Sequence, residues 1–280
     1  MKRVVTIQDI SCVGKCSLTV ALPIISSMGI ETAVLPTAVL STHTAFSDFT
    51  FRDLTTNIQP VADHWQREKI DFDAIYTGYL GSFEQLQLMT RFLETFKKKN
   101  TLVFVDPVMG DFGRLYTGFS SEFALAMASL CSKADIIVPN LTEACFMLGL
   151  PYCDGKYDEA YIQDILRQLT ALGTKKAVLT GVSLEPNRVG VMAYDSETNR
   201  FFSYYHKKID ATYHGTGDVF ASSCLGALTN GCSLEDALKI ATDFTVECIR
   251  QTEEDTNRRW YGVNFETAIP YLLEQLHQKK

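Results

Sequence analysis

The chain has no stretch of roughly 18 apolar residues, the length a membrane span needs. Its first residues, Met1-Lys2-Arg3-Val4, enter a short apolar run of strand length and not a signal-type hydrophobic region. Neither membrane insertion nor secretion is expected. There is also no run of like charge and no basic tail. Lys and Arg number 26 against 33 Asp and Glu, a net charge of −7, which argues against a nucleic-acid partner. An anionic ligand would have to be held by backbone dipoles, a metal or a few placed cations. The eight cysteines lack the paired spacing of zinc or redox motifs, and Cys12 and Cys16 stand four apart with no second pair. They are expected to be mostly buried, reduced thiols, as suits a cytoplasmic protein. Linkers, repeats and low-complexity segments are missing too. Residues 1–280, 46% of them hydrophobic, are therefore expected to form one domain with a sizeable core.

What is present is a regular alternation of short β-rich runs with longer helical ones. Val4–Ile7, Thr32–Leu40 (interrupted by Pro36), Phe72–Tyr76, Leu102–Val105, Ile136–Val138 and Ala177–Leu179 read as strands. Val189–Tyr194 and Phe201–Tyr205 alternate around the turn Ser196-Glu197-Thr198-Asn199, a hairpin pattern. Helical periodicity marks Ser17–Met28, with Pro23 kinking it or starting it anew, and Arg52–Lys69, which contains Pro60. It also marks Phe83–Lys99, Phe119–Cys131, Thr142–Leu148 and Asp158–Leu172. The last third is helical over Asp218–Asn230, Ser233–Gln251 and Phe265–Gln278, and Ser233 with Asp236 reads as a capping box. Such alternation predicts an α/β fold, a mainly parallel central sheet with helices on both faces. Ser41–Phe51 has no clear periodicity and is expected to form a small flap over the active site.

Ligands in open α/β sheets bind beyond the carboxyl ends of the strands. The residues that follow the predicted strands are Gln8-Asp9, His43-Thr44, Thr77-Gly78-Tyr79, Asp106, Asn140 and Thr180-Gly181. Any one of them is explained as a turn, but together they would form a polar rim. Asp106-Pro107-Val108-Met109-Gly110-Asp111 sets two carboxylates on a loop shaped by proline and glycine, able to aim both at one hard cation. Mg²⁺ commonly takes one or two carboxylates plus phosphate oxygens. Glu143 can join that shell through water, and Asn140 can meet a nucleotide phosphate. The same Asn140-Leu141-Thr142-Glu143 also reads simply as a helix N-cap with an acid in the first turn.

The stretch His214-Gly215-Thr216-Gly217-Asp218 leads straight into a run in which Phe220, Cys224, Ala227 and Leu228 share one helical face. Gly215–Gly217 should therefore sit at a helix N-terminus, where free N–H groups and the helix dipole favour an anion. Glycine lets the backbone form a concave nest that a phosphate can approach closely. Asp218, in the first turn, is placed to take a proton from a hydroxyl attacking a phosphorus held over that nest. The helix dipole predicts that it is charged at neutral pH. A plain glycine turn with a capping Asp would use the same residues. Two other segments are set aside. Gly14-Lys15-Cys16 resembles the end of a P-loop, but Asp9 stands at the first glycine and Cys replaces Ser or Thr. His206-Lys207-Lys208 reads as a solvated strand edge.

As a set, these pieces resemble the pyridoxal (vitamin B6) kinases of the ribokinase-like superfamily. The matching residues are Ile7-Gln8, His43-Thr44, Thr77-Gly78-Tyr79, Asp106-Pro107-Val108-Met109-Gly110-Asp111, Pro139-Asn140-Leu141-Thr142-Glu143 and Gly215-Thr216-Gly217-Asp218, in order along nearly the whole chain. The Asp-Pro-Val-Met and Gly-Thr-Gly-Asp motifs mark the superfamily, and the His-Thr and Thr-Gly-Tyr pieces mark its vitamin B6 branch. The resemblance implies ATP-dependent phosphorylation of the 5′-hydroxymethyl group of pyridoxal, pyridoxamine or pyridoxine. Asp218 would be the base and Gly215, Thr216 and Gly217 the anion hole. Asp106, Asp111 and Glu143 would serve Mg²⁺, and Asp111, Asn140, Glu143 and Thr180 the ATP. Asp9, Ser11, His43, Thr44, Tyr79 and Tyr116 would surround the ring. A homodimer and a β-containing flap are also implied. One departure is Asp9, since many members carry Ser directly after the Ile-Gln pair. An extra carboxylate there predicts a preference for the cationic amine of pyridoxamine.

Three other readings use the same residues. A hydroxymethylpyrimidine kinase of the same superfamily has the same motor with a different ring pocket. A sugar or nucleoside kinase would need a cluster for several hydroxyls, which is not evident. A non-catalytic nucleotide or vitamer sensor would have no need of Asp218.

Overall fold

The computed structural model describes residues 1–154 and 157–279. The chain gathers into two compact units, Met1–Gly78 with Ile209–Lys280, and Tyr79–Lys208.

The first unit opens with β1 (Arg3–Val13), α1 (Leu18–Ser27), β2 (Glu31–Thr42), β3 (Phe51–Asp53), α2 (Thr55–Arg67) and β4 (Ala74–Thr77). β1 lies between β2 and β4, parallel to both, and β3 adds antiparallel to β2. A strand covered on both faces reads as an unbroken apolar run, and Val4, Val5 and Ile7 are fully buried. β1 runs well past Ile7, however. Gln8 and Asp9 lie inside the strand and not beyond its end, at a bulge where the register against β2 slips opposite Pro36. A proline cannot donate to the ladder, and strands tolerate it at such irregularities. α1 continues through Pro23 because Val20, Ala21, Ile24 and Ile25 are all buried on one side, so packing outweighs the lost hydrogen bond. The Ser41–Phe51 segment is a strap between β2 and β3, tied at its base by Ser41 N–H to the Thr50 carbonyl at 3.0 Å and Thr50 N–H to Ser41 Oγ at 2.9 Å.

The second unit carries α3 (Phe83–Phe96), β5 (Leu102–Val105), β6 (Gly110–Asp111), β7 (Arg114–Leu115), α4 (Ser121–Cys131), β8 (Ile136–Ile137), α5 (Leu141–Leu148), α6 (Glu159–Ala171), β9 (Lys176–Val182), β10 (Arg188–Asp195) and β11 (Arg200–Lys207). β5, β8 and β9 are parallel, and β10 and β11 extend them antiparallel. The hairpin closes at Ser196–Asn199 as its alternating pattern predicts. Thr180 and Gly181 fall inside β9, which is longer than its apolar run. The loop after β5 is more ordered than its proline and glycine suggest, since β6 and β7 form a two-stranded ribbon. His206 and Lys207 lie on β11, the last strand of the order.

The chain then returns to the first unit with α7 (Thr216–Thr229), α8 (Leu234–Glu254) and α9 (Phe265–His277). α7 packs on α1 and α8, and α8 on α9. The α8 cap differs from a capping box. Ser233 Oγ accepts from Asp236 N–H at 3.1 Å, but the reciprocal bond runs from the Ser233 hydroxyl to the Asp236 carboxylate at 2.8 Å. None of the eight cysteines forms a disulfide. Cys131, Cys145, Cys224 and Cys248 are buried, whereas Cys12 is exposed and the other three are partly so. The expectation that most are buried thus holds for half of them. Among the described residues no helix is long and apolar enough to cross a membrane.

The β10–β11 pairing leaves no space beside Gly190, where a Cβ would overlap the Tyr204 carbonyl oxygen. Gly190→Ala is expected to lower stability by on the order of 3 kcal/mol, read as a shifted urea midpoint. An unchanged midpoint would mean that this register is wrong.

Candidate active site

α7 begins at Gly215, the N-cap residue, in the left-handed conformation at φ 80°. No side chain caps this end, so the first N–H groups are left for solvent or an anion. The left-handed turn is one reason for glycine at 215. The other is closeness, because a Cβ there would overlap the Lys15 carbonyl oxygen. The turn before α7 therefore rests, backbone on backbone, against the turn before α1. Gly217 has open space around it. Asp218 is the acid of the first turn, and its side chain is only partly exposed.

The surroundings of Asp218 revise its expected charge. Burial pushes its carboxyl up to about 7, Asp9 adds to the rise, and a hydrogen bond from the Ser17 backbone N–H opposes it. The dipole of α7 favours the anion, but desolvation is the larger effect. Asp218 thus titrates near neutrality instead of staying fully ionised. Asp9, in turn, is buried and does not present a free carboxylate. Ser17 Oγ donates to its Oδ1 at 2.6 Å and Ser11 Oγ to its Oδ2 at 3.1 Å. Ser11 is 1% exposed. The Cys16 thiol, beside these acids, is pushed up to about 12 by burial and then by Asp218, so it stays protonated. Lys15 is committed elsewhere, with its Nζ 2.8 Å from Glu266 Oε2 and 3.2 Å from Asn264 Oδ1. That supports setting aside the P-loop reading.

His43 follows β2 and is buried, whereas Thr44 is exposed. The His43 Nδ1 accepts from Ala45 N–H at 3.2 Å, which leaves Nε2 to donate to the Tyr261 carbonyl at 3.0 Å. Desolvation lowers its pKa, so the ring is neutral at pH 7. It lies 4.9 Å from the His214 ring and 5.0 Å from Phe46, and Phe46 is 4.5 Å from Trp260. Sequence periodicity gives no sign of Phe46, Trp260 and Tyr261 as neighbours, because the partners stand more than 200 residues apart. Ser17 gives no such sign either. Its role depends on a turn that brings it back to β1.

In the second unit, Asp106 follows β5 and is buried, and Asp111 lies on the β6–β7 ribbon and is exposed. Asn140 is the N-cap of α5 and forms a full capping box with Glu143. Glu143 Oε2 accepts from Asn140 N–H at 2.8 Å, and its Oε1 from Met109 N–H at 3.1 Å. Burial pushes Glu143 up to about 8 against these two bonds. Asn140 Nδ2 donates to the Gly110 carbonyl at 2.8 Å, and Asn140 bridges to Thr180. Glu143 and Asn140 thus brace the Met109–Gly110 loop, a role that local sequence reads only as capping. Tyr79 rests on Phe119, ring centres 5.7 Å apart, and Tyr116 is 44% exposed. Among the described residues no three His, Cys, Asp or Glu side chains gather to hold a metal by themselves.

The first unit carries an uncapped helix start with a desolvated acid, and the second carries oxygen donors on braced loops; each is a kind of group that phosphoryl transfer uses. Residues 25–262 match the phosphomethylpyrimidine kinase family, and the chain belongs to that family. It is similar to a solved protein from Bacteroides thetaiotaomicron provisionally assigned as a phosphomethylpyrimidine kinase, with 39% identity, 97% of this chain and 93% of that one covered, and a TM-score of 0.93. A form of that protein with pyridoxal matches at 40% identity over 97% and 95%, with a TM-score of 0.92. The solved pyridoxal kinase of Lactobacillus plantarum is 32% identical over 99% of both chains, with a TM-score of 0.89. The pyridoxine/pyridoxal/pyridoxamine kinase of Bordetella avium is 27% identical over 263 residues, 89% of this chain and 85% of that one. The resemblance read from the motifs is thereby borne out, and with it the ribokinase-like fold.

Two outcomes follow from the geometry. Gly215→Ala is expected to lower the thermal midpoint sharply. Gly217→Ala is expected to hold or slightly raise it, since Ala is the better helix former by about 0.5–1 kcal/mol; equal losses in both would contradict the packing. A carboxyl raised from 3.8 to about 7 on folding contributes stability that is present below its unfolded pKa and lost as pH rises through about 7. Asp218→Asn should therefore be the more stable protein at pH 8.5, by on the order of 2–4 kcal/mol at most, with the advantage gone near pH 4. A constant difference across that range would refute the buried-acid assignment.

Proposed function

We propose that this protein is a vitamin B6 kinase that transfers the γ-phosphoryl group of ATP to the 5′-hydroxymethyl group of pyridoxal, pyridoxamine or pyridoxine. The observation that carries this reading is Asp218, an acid poised near neutrality in the first turn of an uncapped, glycine-opened helix. The base takes the proton of the attacking hydroxyl, and a pKa near the working pH suits that task. The N–H groups of Gly215–Gly217 steady the charge on the migrating phosphoryl group. The naming of relatives as pyridoxal kinases, and the form of the Bacteroides protein with pyridoxal, support the vitamer.

In the second unit, Asp111, Asn140, Glu143 and Thr180 are proposed to serve the nucleotide. Asp106 and Asp111 would hold Mg²⁺, with Glu143 acting at one remove because both its oxygens already accept backbone N–H groups. Two carboxylates fit an ion that keeps its waters and binds phosphate oxygens. Bound there, Mg²⁺ would neutralise phosphate charge. His43, Thr44, Tyr79 and Tyr116 are proposed to surround the ring, with Asp9 and Ser11 set beneath the base. We further propose that the chain works as one kinase domain and as a homodimer, for which exposed Val13, Leu22 and Phe51 offer apolar surface. Eight cysteines outside any disulfide suit a reducing cytoplasm. The alternative acceptor is hydroxymethylpyrimidine, and the matching family is named for a related pyrimidine, phosphomethylpyrimidine.

Titrating Mg-ATP with each vitamer and with hydroxymethylpyrimidine, and following ADP, tests the assignment. Turnover is expected with at least one B6 vitamer, and turnover with the pyrimidine alone would transfer the assignment to the second reading. kcat/KM should rise with pH through an apparent pKa near 7, as Asp218 deprotonates. Asp218→Asn should keep ATP binding but lose about 10²–10⁴ in kcat; full activity in that variant would remove Asp218 from the reaction.

A further inference from the structure

Asp9 is 5% exposed, and a buried carboxylate needs partners. Two serine hydroxyls donate to it, Ser17 at 2.6 Å and Ser11 at 3.1 Å. Ser17 is the N-cap residue of α1, yet its hydroxyl does not cap that helix. Its backbone stands at φ 52°, ψ −135°, a conformation that residues other than glycine seldom take. Such strain persists where surrounding contacts over-determine it. Here the contacts are the Asp9 hydrogen bond on the side chain and the N–H groups of Val20 and Ala21 on the Ser17 carbonyl, at 3.0 and 2.9 Å. What this conformation achieves is the direction of the Ser17 N–H, which hydrogen-bonds to the Asp218 carboxylate.

We propose that Asp9 is a positioning residue for phosphoryl transfer, gripping Ser17 so that its N–H holds the Asp218 carboxylate in place, and that it acts without touching the vitamer. This rests on the kinase reading and replaces the amine contact that the sequence predicts for Asp9. The negative charge of Asp9 also makes Asp218 hold its proton more readily, as two neighbouring carboxylates do. The other titratable groups around the pair are few. Cys16, from the turn before α1, is pushed up by burial and stays neutral. Lys15 is paired with Glu266 of α9. His214, ahead of the nest, faces His43.

The full-length wild type, Asp9→Asn and Asp9→Ser separate the possibilities through kcat and KM against pH, with Mg-ATP and either pyridoxal or pyridoxamine. Asn keeps an acceptor for Ser17 but loses the charge. It should stay within about threefold of wild-type kcat at high pH, with the acid limb of kcat/KM moved to lower pH. Ser is too short to reach Ser17 and should lose about 10–100-fold in kcat, the scale of a small misplacement in an active site. KM for both vitamers and their kcat/KM ratio should be unchanged in each variant. If Asp9→Ser does not fold, Ser17→Gly, which tolerates the φ but removes the hydroxyl, should show the same loss. A selective rise in KM for pyridoxamine would overturn the proposal, as would an unmoved pH limb with full kcat. An inactive wild type would instead remove the kinase reading on which the proposal stands.

Discussion

The contact of two backbone turns, Gly14–Ser17 against the one that opens α7, is the constraint on which the chemistry of the first unit depends. Gly215 can lie on the Lys15 carbonyl only because it has no side chain. From that one approach follow the site of the anion nest, the side of α7 on which Asp218 stands, and the reach of Ser17 to it. Lys15 stiffens the arrangement from below. Its methylenes lie against Gly262 and its ammonium against Glu266, so the segment between α8 and α9 is bound to the same turn.

Electrostatically, the site balances two opposing effects. The first turn of α7 offers dipole and N–H groups that favour an anion, while burial and Asp9 disfavour one at Asp218. Were the dipole to dominate, the carboxylate would be a weak base, ionised at any working pH. Were burial alone to act, it would hold its proton too firmly. The second unit solves a different problem with the same parts. Glu143 is buried, yet it accepts two backbone N–H groups and so spends its oxygens on shape. The result is a fixed loop between β5 and the ribbon.

Much of this was legible in the residues. Apolar runs of strand length and 3.6-residue periodicity placed nearly every element, because burial of one face is a local pattern. The Gly-Thr-Gly-Asp segment was legible for the same reason, since its glycines and the helix that follows are contiguous. β1 was read short because Gln8, Asp9 and Ser11 are polar, and only the partners that bury them explain their place in a strand. For Asp218 the dipole that favours the anion is visible in sequence, whereas the desolvation that raises its pKa depends on β1 and the turn before α1 folding over it. Ser17 and the His43–Tyr261 bond were hidden because no periodicity links residues brought together by a turn or by 218 positions of chain.

The strap between β2 and β3 carries Phe46 near its middle, with its ring 4.5 Å from Trp260. The chain has only two tryptophans, and the other, Trp65, lies on α2 with its ring against Phe72. Trp260 is 58% exposed, so its indole emission depends on how much water reaches it and on which rings lie beside it. The protein thus carries its own fluorophore at the edge of the strap, and any displacement of that segment is written into its emission spectrum without a label being added.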